Sequence, residues 1–492
     1  MGILRGFVSI LGGKVVTLLS GLVITPLLVR LLGSAQYGDY AFLLSLLGIT
    51  MILANAGVFD GTRKYIAEDR EQSKWIEHVF SFYLRVATLL ALTAALGYTV
   101  FSLLGLPEQI FGTGFTIYFY LLGLLILSRQ AYSLARGGLM GIGLEDRSEP
   151  LTILKKVLFG IVGISLASVG YGIVGVLIGH IIASVVTASI AFVMLFRRLD
   201  ISAIFTRVPT EIPKRELLSF NSFSVVLILL TASLYHVDIL LLKPLMGSQA
   251  TGYYRAALVI AEFLWFVPNA LQMVLLHSSS ELWSKGESDQ VTSLVSKVTR
   301  YNLSLSLLLV IGLATLASDF VPLYFGSEFK ASIFPLLLLL PGVLGFALAR
   351  PIFAVGQGKG ELRVLIVATG AAALINLVLN LLLIPHYGMS GAAMATSTSY
   401  GSMVVFHIGA ARRIGFDPTN DLRFVKIATV AVVSTPIIFG VNSLIDSSLI
   451  SLIVVPPFGF AIYAFLSIKF RVVSRNEMDK ISDRLPAPAL FS

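Results

Sequence analysis

The sequence predicts an all-α polytopic membrane protein of about fourteen transmembrane helices, built as two pseudo-twofold six-helix lobes and a final helix pair. Three observations predict it. Apolar runs of about twenty residues recur along the chain, the length that crosses a hydrocarbon core of about 30 Å. The Lys and Arg residues between those runs fall almost wholly on one side. Landmarks of the first half return in the second at a nearly constant offset. Composition agrees: 56% of residues are hydrophobic and 13% charged, with mean hydropathy +0.88, where a soluble domain carries roughly 25% charge.

The runs lie at 7–31, 40–59, 79–104, 113–134, 151–168, 172–196, 218–242, 252–277, 295–317, 332–355, 362–384, 389–409, 423–441 and 447–469. The first has no small-residue cleavage site and exceeds a signal-peptide core, so it is expected to stay as a span. With the N-terminus in the cytoplasm, Arg63, Lys64, Arg70 and Lys74 share one inner loop, and Arg197, Arg198, Arg207, Lys214 and Arg215 another. Only Lys243 and Lys330 then lie in outer loops. This positive-inside bias requires an even number of spans and puts both termini in the cytoplasm, with the cell membrane as the expected location. The formal charge of +9 is therefore topological, and nucleic acid is not needed to explain it. The chain has no cysteine, which removes disulfides, thiol nucleophiles and cysteine metal sites.

The repeat decides the architecture. GSAQYGDY from Gly33 and GSQATGYY from Gly247 are 214 residues apart; YGIVG from Tyr171 and YGMSG from Tyr387 are 216 apart. Arg85 and Arg300 differ by 215, and Glu145 with Arg147 matches Glu361 with Arg363 at 216. Six spans per copy preserve orientation, which implies a twofold axis along the membrane normal. The expected organisation is an N-terminal lobe at 1–196, a cytoplasmic linker at 197–217, a C-terminal lobe at 218–409, the extra pair at 410–469 and a cytoplasmic tail at 470–492.

A charge inside a span costs about 2.5–3.5 kcal/mol on insertion scales, so intramembrane ionisable residues are site candidates. The cations singled out within the spans are Lys14, Arg30, Arg85, Arg129, Arg255 and Arg350. Arg255, Glu262 and Asn269 are seven apart and so lie near one helix face, which Gln272 extends. Glu262 falls at mid-membrane, either as a cation or proton site or as half of a structural ion pair. Asp238 lies at a depth similar to Arg255 on the preceding span, and a pair between them is expected to be architectural. Lys14 either meets an anion in a cavity or snorkels to the headgroups; Arg85 and Arg350 favour snorkelling. Asn55, Asn269, Asn376 and Asn380 are weak sugar-binding candidates, and Asn376 and Asn380, one turn apart, equally suit helix packing. The histidines lack partners at metal-ligand spacing. No phosphate-binding G-x-x-x-x-G-K-[ST] occurs, so ATP use within the chain is not expected, and no cofactor is called for.

Lys14, the stretch PLLVRLLGSAQYGDYAF from Pro26 and the stretch VDILLLKPLMGSQATGYYRAA from Val237 resemble the multidrug/oligosaccharidyl-lipid/polysaccharide exporter superfamily, in its polysaccharide-biosynthesis, O-antigen flippase-like branch. The resemblance covers the whole chain through loose turn motifs. It implies a V-shaped transporter, acting as a monomer, whose lobes rock to open a central cavity to each side in turn. The implied cargo is an oligosaccharide on polyprenyl or dolichyl phosphate or pyrophosphate, moved to the outer leaflet among membrane lipids. Lys14, Arg85, Arg255 and Arg350 would meet its anionic headgroup, and Glu262 and Asp238 would couple H+ or Na+. The alternatives are a multidrug/toxin cation antiporter of the same superfamily and a lipid II-type flippase. A membrane transferase ranks last because no outer loop is large enough for its site.

Overall fold

The computed structural model describes residues 19–474, apart from 207, 208, 210, 211, 219 and 221, together with 477. Lys14 and Arg207 lie outside the described residues. The helices are α1 (Gly2–Asn55), α2 (Val58–Ala67), α3 (Trp75–Leu103), α4 (Leu106–Phe111), α5 (Phe115–Gly141), α6 (Glu145–Leu166), α7 (Gly172–Phe196), α8 (Ile201–Phe205) and α9 (Lys214–Ser219). After them come α10 (Ser222–Glu262), α11 (Phe266–Ser284), α12 (Ser288–Phe325), α13 (Ile333–Lys359), α14 (Leu362–Ile414), α15 (Phe424–Ser443) and α16 (Ser448–Lys469).

Ten continuous helical segments are long and apolar enough to cross a membrane among the described residues. Four of them, Leu19–Ala67, Glu145–Phe196, Lys214–Ser284 and Leu362–Ile414, run 49 to 71 residues. At 1.5 Å per residue each is long enough for two crossings, which brings the crossings to fourteen.

The segments 33–40 and 247–254, expected as outer loops, are helical except at one residue each. Gly33 (φ 67°, ψ 175°) and Gly247 (φ 84°, ψ 178°) leave helical geometry, and the chain resumes as helix at the next residue. A side chain is strained at such angles and glycine is not, so one glycine reverses the chain where a loop would otherwise be needed. The second repeated landmark behaves likewise at Gly172 (φ 49°) and Gly388 (φ 55°).

By packing, the chain forms two compact units, Met1–Ala256 with Leu377–Ala392, and Ala257–Asn376 with Ala393–Ser492. Within the first, the two G-S-x-x-x-G-x-Y copies face each other. A Cβ on Gly38 would lie 1.9 Å from the Ser248 carbonyl oxygen, and one on Gly252 would lie 1.9 Å from that of Ser34. Ser34 matches Ser248, and Gly38 matches Gly252, at the offset of 214, so the contact is reciprocal. Small residues four apart bring two backbones together in this way. The same end holds Lys243, one of the two lysines expected in outer loops: it is buried, 2.5 Å from the Asp39 carboxylate, and donates to Ser248 Oγ at 2.5 Å. Pairing with Asp39 is what makes this buried positive charge tolerable.

The second unit has its own core, where Ile427, Val430 and Ile438 of α15 meet Leu303, Ile311 and Leu316 of α12 and Val455, Tyr463 and Leu466 of α16. In the same unit the buried Arg300 is paired with Asp421 at 2.5 Å and with Glu477 of the tail.

Candidate functional site

The cationic pocket of the first unit is assembled from α5, α6 and α7. On α6, Thr152, Lys155, Lys156 and Phe159 follow an i, i+3, i+4, i+7 pattern and so share one face. His180 and Ser184 of α7, one turn apart, and Arg129 of α5 complete the lining of a cavity of about 220 Å³. That is several times the roughly 30 Å³ share of one liquid water. Lys155 is ten residues into α6, about 15 Å from its start at 1.5 Å per residue.

Aromatic and hydroxyl groups fix the walls. The Lys155 ammonium stands 3.9 Å over the Tyr132 ring, whose hydroxyl pairs with Thr152 Oγ1 at 3.0 Å. His180 stacks on Phe159 with ring centroids 3.7 Å apart, and its Nε2 pairs with the Tyr40 hydroxyl at 2.8 Å. Both Arg129 and Arg255 act electrostatically on Tyr40. Arg136, two turns further along α5, is paired with Glu149 at 2.6 Å. By contrast, among the described residues no carboxylate lies within 4.0 Å of Arg129, Lys155 or Lys156. Like charges gathered in a low-dielectric setting repel strongly, and each costs insertion energy in a span. A site of this kind is stabilised when an anion enters it.

The residues singled out by sequence fall in several places. Arg255 is half-buried near Tyr40 and His236, in the same unit as the pocket. Arg85 is exposed and donates to the Thr206 carbonyl at 2.5 Å, tying α3 to the segment after α8. Arg350 lies in the second unit, where its guanidinium is 4.7 Å from the Phe346 ring centre and 5.1 Å from that of Trp265, and bonds Gln272 at 3.1 Å. Asp238 is fully buried and accepts from the Tyr254 hydroxyl. Asn55 donates to Ser133 Oγ at 2.7 Å beside a cavity of about 280 Å³ that Asp60 and Ser224 also line. Asn376 donates to Ser399 Oγ at 3.0 Å, a packing contact across α14. Asn380 is fully buried, and Asn269 is exposed.

Glu262 ends α10, and a 3₁₀ turn, Phe263–Trp265, separates it from α11. Pro268 has no N–H to give to the Leu264 carbonyl, and Trp265 Nε1 donates sideways to the Val343 carbonyl at 3.1 Å. Asn269 lies beyond that turn, in the first turn of α11.

Sequence reasoning did not single out Lys155 and Lys156. The signal available was their position within span 151–168, opposite a second charged span carrying Arg129.

The second unit contributes an apolar cavity of about 650 Å³. Leu305, Leu309 and Gly312 of α12, Phe263 and Leu264 near the 3₁₀ turn, and Pro456 of α16 are among its lining residues.

Residues 3–276, more than half of the chain, match the family model described as "Polysaccharide biosynthesis protein". The chain belongs to that family. Along nearly its full length the family member is similar to the "Probable low-salt glycan biosynthesis flippase Agl15" of Haloferax volcanii, at 23% identity over 474 residues, covering 93% of this chain and 94% of that protein. Its fold is similar to "Lipid II flippase MurJ, inward closed conformation", with a TM-score of 0.76 at 15% identity over 94% of this chain and 97% of that one. An inward-facing multidrug resistance MATE family transporter of the MOP superfamily aligns with a TM-score of 0.67 at 17% identity, covering 81% and 94%. This family member thus has the fold of the superfamily that its sequence resembles.

Proposed function

We propose that this chain is a flippase that carries a lipid-linked oligosaccharide from the cytoplasmic to the outer leaflet by alternating access, for surface polysaccharide or glycoprotein synthesis. The observation that carries the reading is the gathering of Arg129, Lys155 and Lys156 around one cavity with no carboxylate paired to them among the described residues. The phosphate or pyrophosphate that joins a glycan to a polyprenyl or dolichyl carrier supplies the missing charge, through charge-assisted hydrogen bonds from three cations. Arg255 adds positive potential from α10, and Lys14 is a first contact on the cytoplasmic side. The apolar cavity of the second unit suits part of a polyisoprenoid tail. A relative named as a glycan biosynthesis flippase supports the same reading.

Transport needs no covalent step. An inside-negative potential favours outward movement of an anion by about 2.3 kcal/mol per charge per 100 mV, and Glu262 and Asp238 are the residues proposed to couple H+ or Na+. The protein is placed in the cell membrane with both termini in the cytoplasm. A multidrug cation antiporter is disfavoured, because a cluster of uncompensated cations repels its cargo.

The test is reconstitution of the purified chain in proteoliposomes. A fluorescent oligosaccharide on a polyprenyl diphosphate is loaded in one leaflet, and its appearance in the other is read by chemical quenching. Protein-dependent movement is expected, with no transport of a lipophilic cation such as ethidium. Movement of ethidium without movement of the glycolipid would overturn the proposal.

A further inference from the structure

The α14 hairpin carries a second basic feature, in a different place from the cationic pocket. Its two legs are antiparallel beyond the bend at Gly388, so Arg363, the second residue, and Arg413, the last but one, come to the same end. Both line one cavity of about 440 Å³ that belongs wholly to the second unit. The rest of that lining is apolar: Val367, Ala368 and Ala371 on one leg, Val405 and Phe406 on the other, with Gly409 between.

The groove is open rather than a packed seam. Val367 is 68% exposed and Val405 65% exposed. A Cβ placed on Gly409 would meet nothing within 4 Å. Arg413 is exposed and forms no ion pair among the described residues. The positive-inside orientation puts the arginine end at the cytoplasmic membrane surface. From Arg363 to Ala371 the groove follows eight residues, about 12 Å at 1.5 Å per residue, or less than half the thickness of the hydrocarbon core.

We infer that this groove is a binding site for a phospholipid of the cytoplasmic leaflet with an anionic headgroup. The phosphate and the headgroup's charge lie between Arg363 and Arg413, and the upper part of one acyl chain lies along Val367, Ala371 and Val405 against Gly409. Basic pockets between transmembrane helices on the cytoplasmic side recognise anionic lipid headgroups in this way. The apolar length selects a lipid over a free phosphate, which would use the two arginines alone. The bound lipid would brace the cytoplasmic ends of the hairpin. None of these residues lines the cationic pocket, so the inference stands apart from the proposed transport function.

Native mass spectrometry of the full chain in detergent tests it, with dioleoyl phosphatidylglycerol and dioleoyl phosphatidylcholine as probes of equal chain length. Wild type is expected to retain phosphatidylglycerol preferentially. Each of R363Q and R413Q should weaken that retention about fivefold and the pair about 25-fold, as the surface attraction of one basic residue per site implies. Gly409→Phe keeps both arginines but fills the groove, and is expected to lose the adduct as well. Unchanged helical circular dichroism and elution establish that each variant is folded. Equal retention of both lipids by wild type, retention surviving in the double arginine variant, or displacement by millimolar inorganic phosphate would each overturn the site. An intact adduct in Gly409→Phe would do the same by showing that the chain does not enter the groove.

Discussion

Replacing Gly38 by alanine should force apart the helices that cross where the two glycine motifs of the first unit meet. The added methyl carbon would start 1.9 Å from the Ser248 carbonyl oxygen, 2.7 Å from the Gly252 nitrogen and 2.9 Å from the Ser248 carbonyl carbon. All three are backbone atoms, so no side chain can turn away. Ordinary van der Waals contact begins at 3.4 Å, which requires the helices to separate by 3.4 − 1.9 = 1.5 Å. Overpacking of this size costs about 1–3 kcal/mol. Gly252→Ala meets the Ser34 carbonyl oxygen at the same 1.9 Å, so the two single variants should be destabilised alike. Because both clashes are relieved by one separation, the double variant should lose clearly less than the sum of the singles. Thermal unfolding in detergent measures the stabilities. Maleimide labelling of a cysteine introduced in place of the buried Ser34 measures exposure of the crossing from outside. A Gly38→Ala protein as stable and as shielded as wild type would refute the reciprocal contact, and strict additivity would refute its being one crossing.

Other outcomes rest on single contacts. Tyr254→Phe removes the hydroxyl that bonds the fully buried Asp238 and should cost about 1–3 kcal/mol, read by the same unfolding assay. Glu477 is pushed up by partial burial, but the Ser474 backbone N–H and the Arg300 guanidinium outweigh this and bring it down to about 2. A depressed carboxyl contributes stability that is complete above its unfolded value of 4.5 and fades as pH falls from there through about 2. Limited proteolysis should therefore show the tail held at pH ~7 and released as pH drops below about 4; a cleavage rate independent of pH would exclude that anchor. If Glu262 couples transport to an ion, Glu262→Gln should leave the protein folded but insensitive to a proton or sodium gradient, and a variant that responds to the gradient like wild type removes the residue from coupling.

The kinks were legible because one residue type carries them. Gly33 and Gly247, Gly172 and Gly388 sit in repeated motifs, and only glycine adopts those angles without strain. The length of the kinks was not legible: leaving 32–39 between two spans missed that a single glycine suffices. The cationic pocket was less visible still. Lys155 and Lys156 drew no reading of their own, since a sequence does not say which neighbour a helix face meets. Arg129 registered as an intramembrane charge without its company, because α5, α6 and α7 come together only through packing.

The most direct test of the central claim is the affinity of the purified chain for a polyprenyl diphosphate oligosaccharide, compared between wild type and R129Q, K155Q and K156Q. Hydrogen bonds to charged groups contribute about 1.5–3 kcal/mol each, so every substitution should weaken binding at least about tenfold. Affinity of the wild type should also fall as salt rises, and less steeply in the variants, as screening of a charge-charge attraction requires. Affinities unchanged in all three variants, with the proteins folded, would contradict an anion site in the first unit and with it the proposed account of how the chain holds its cargo.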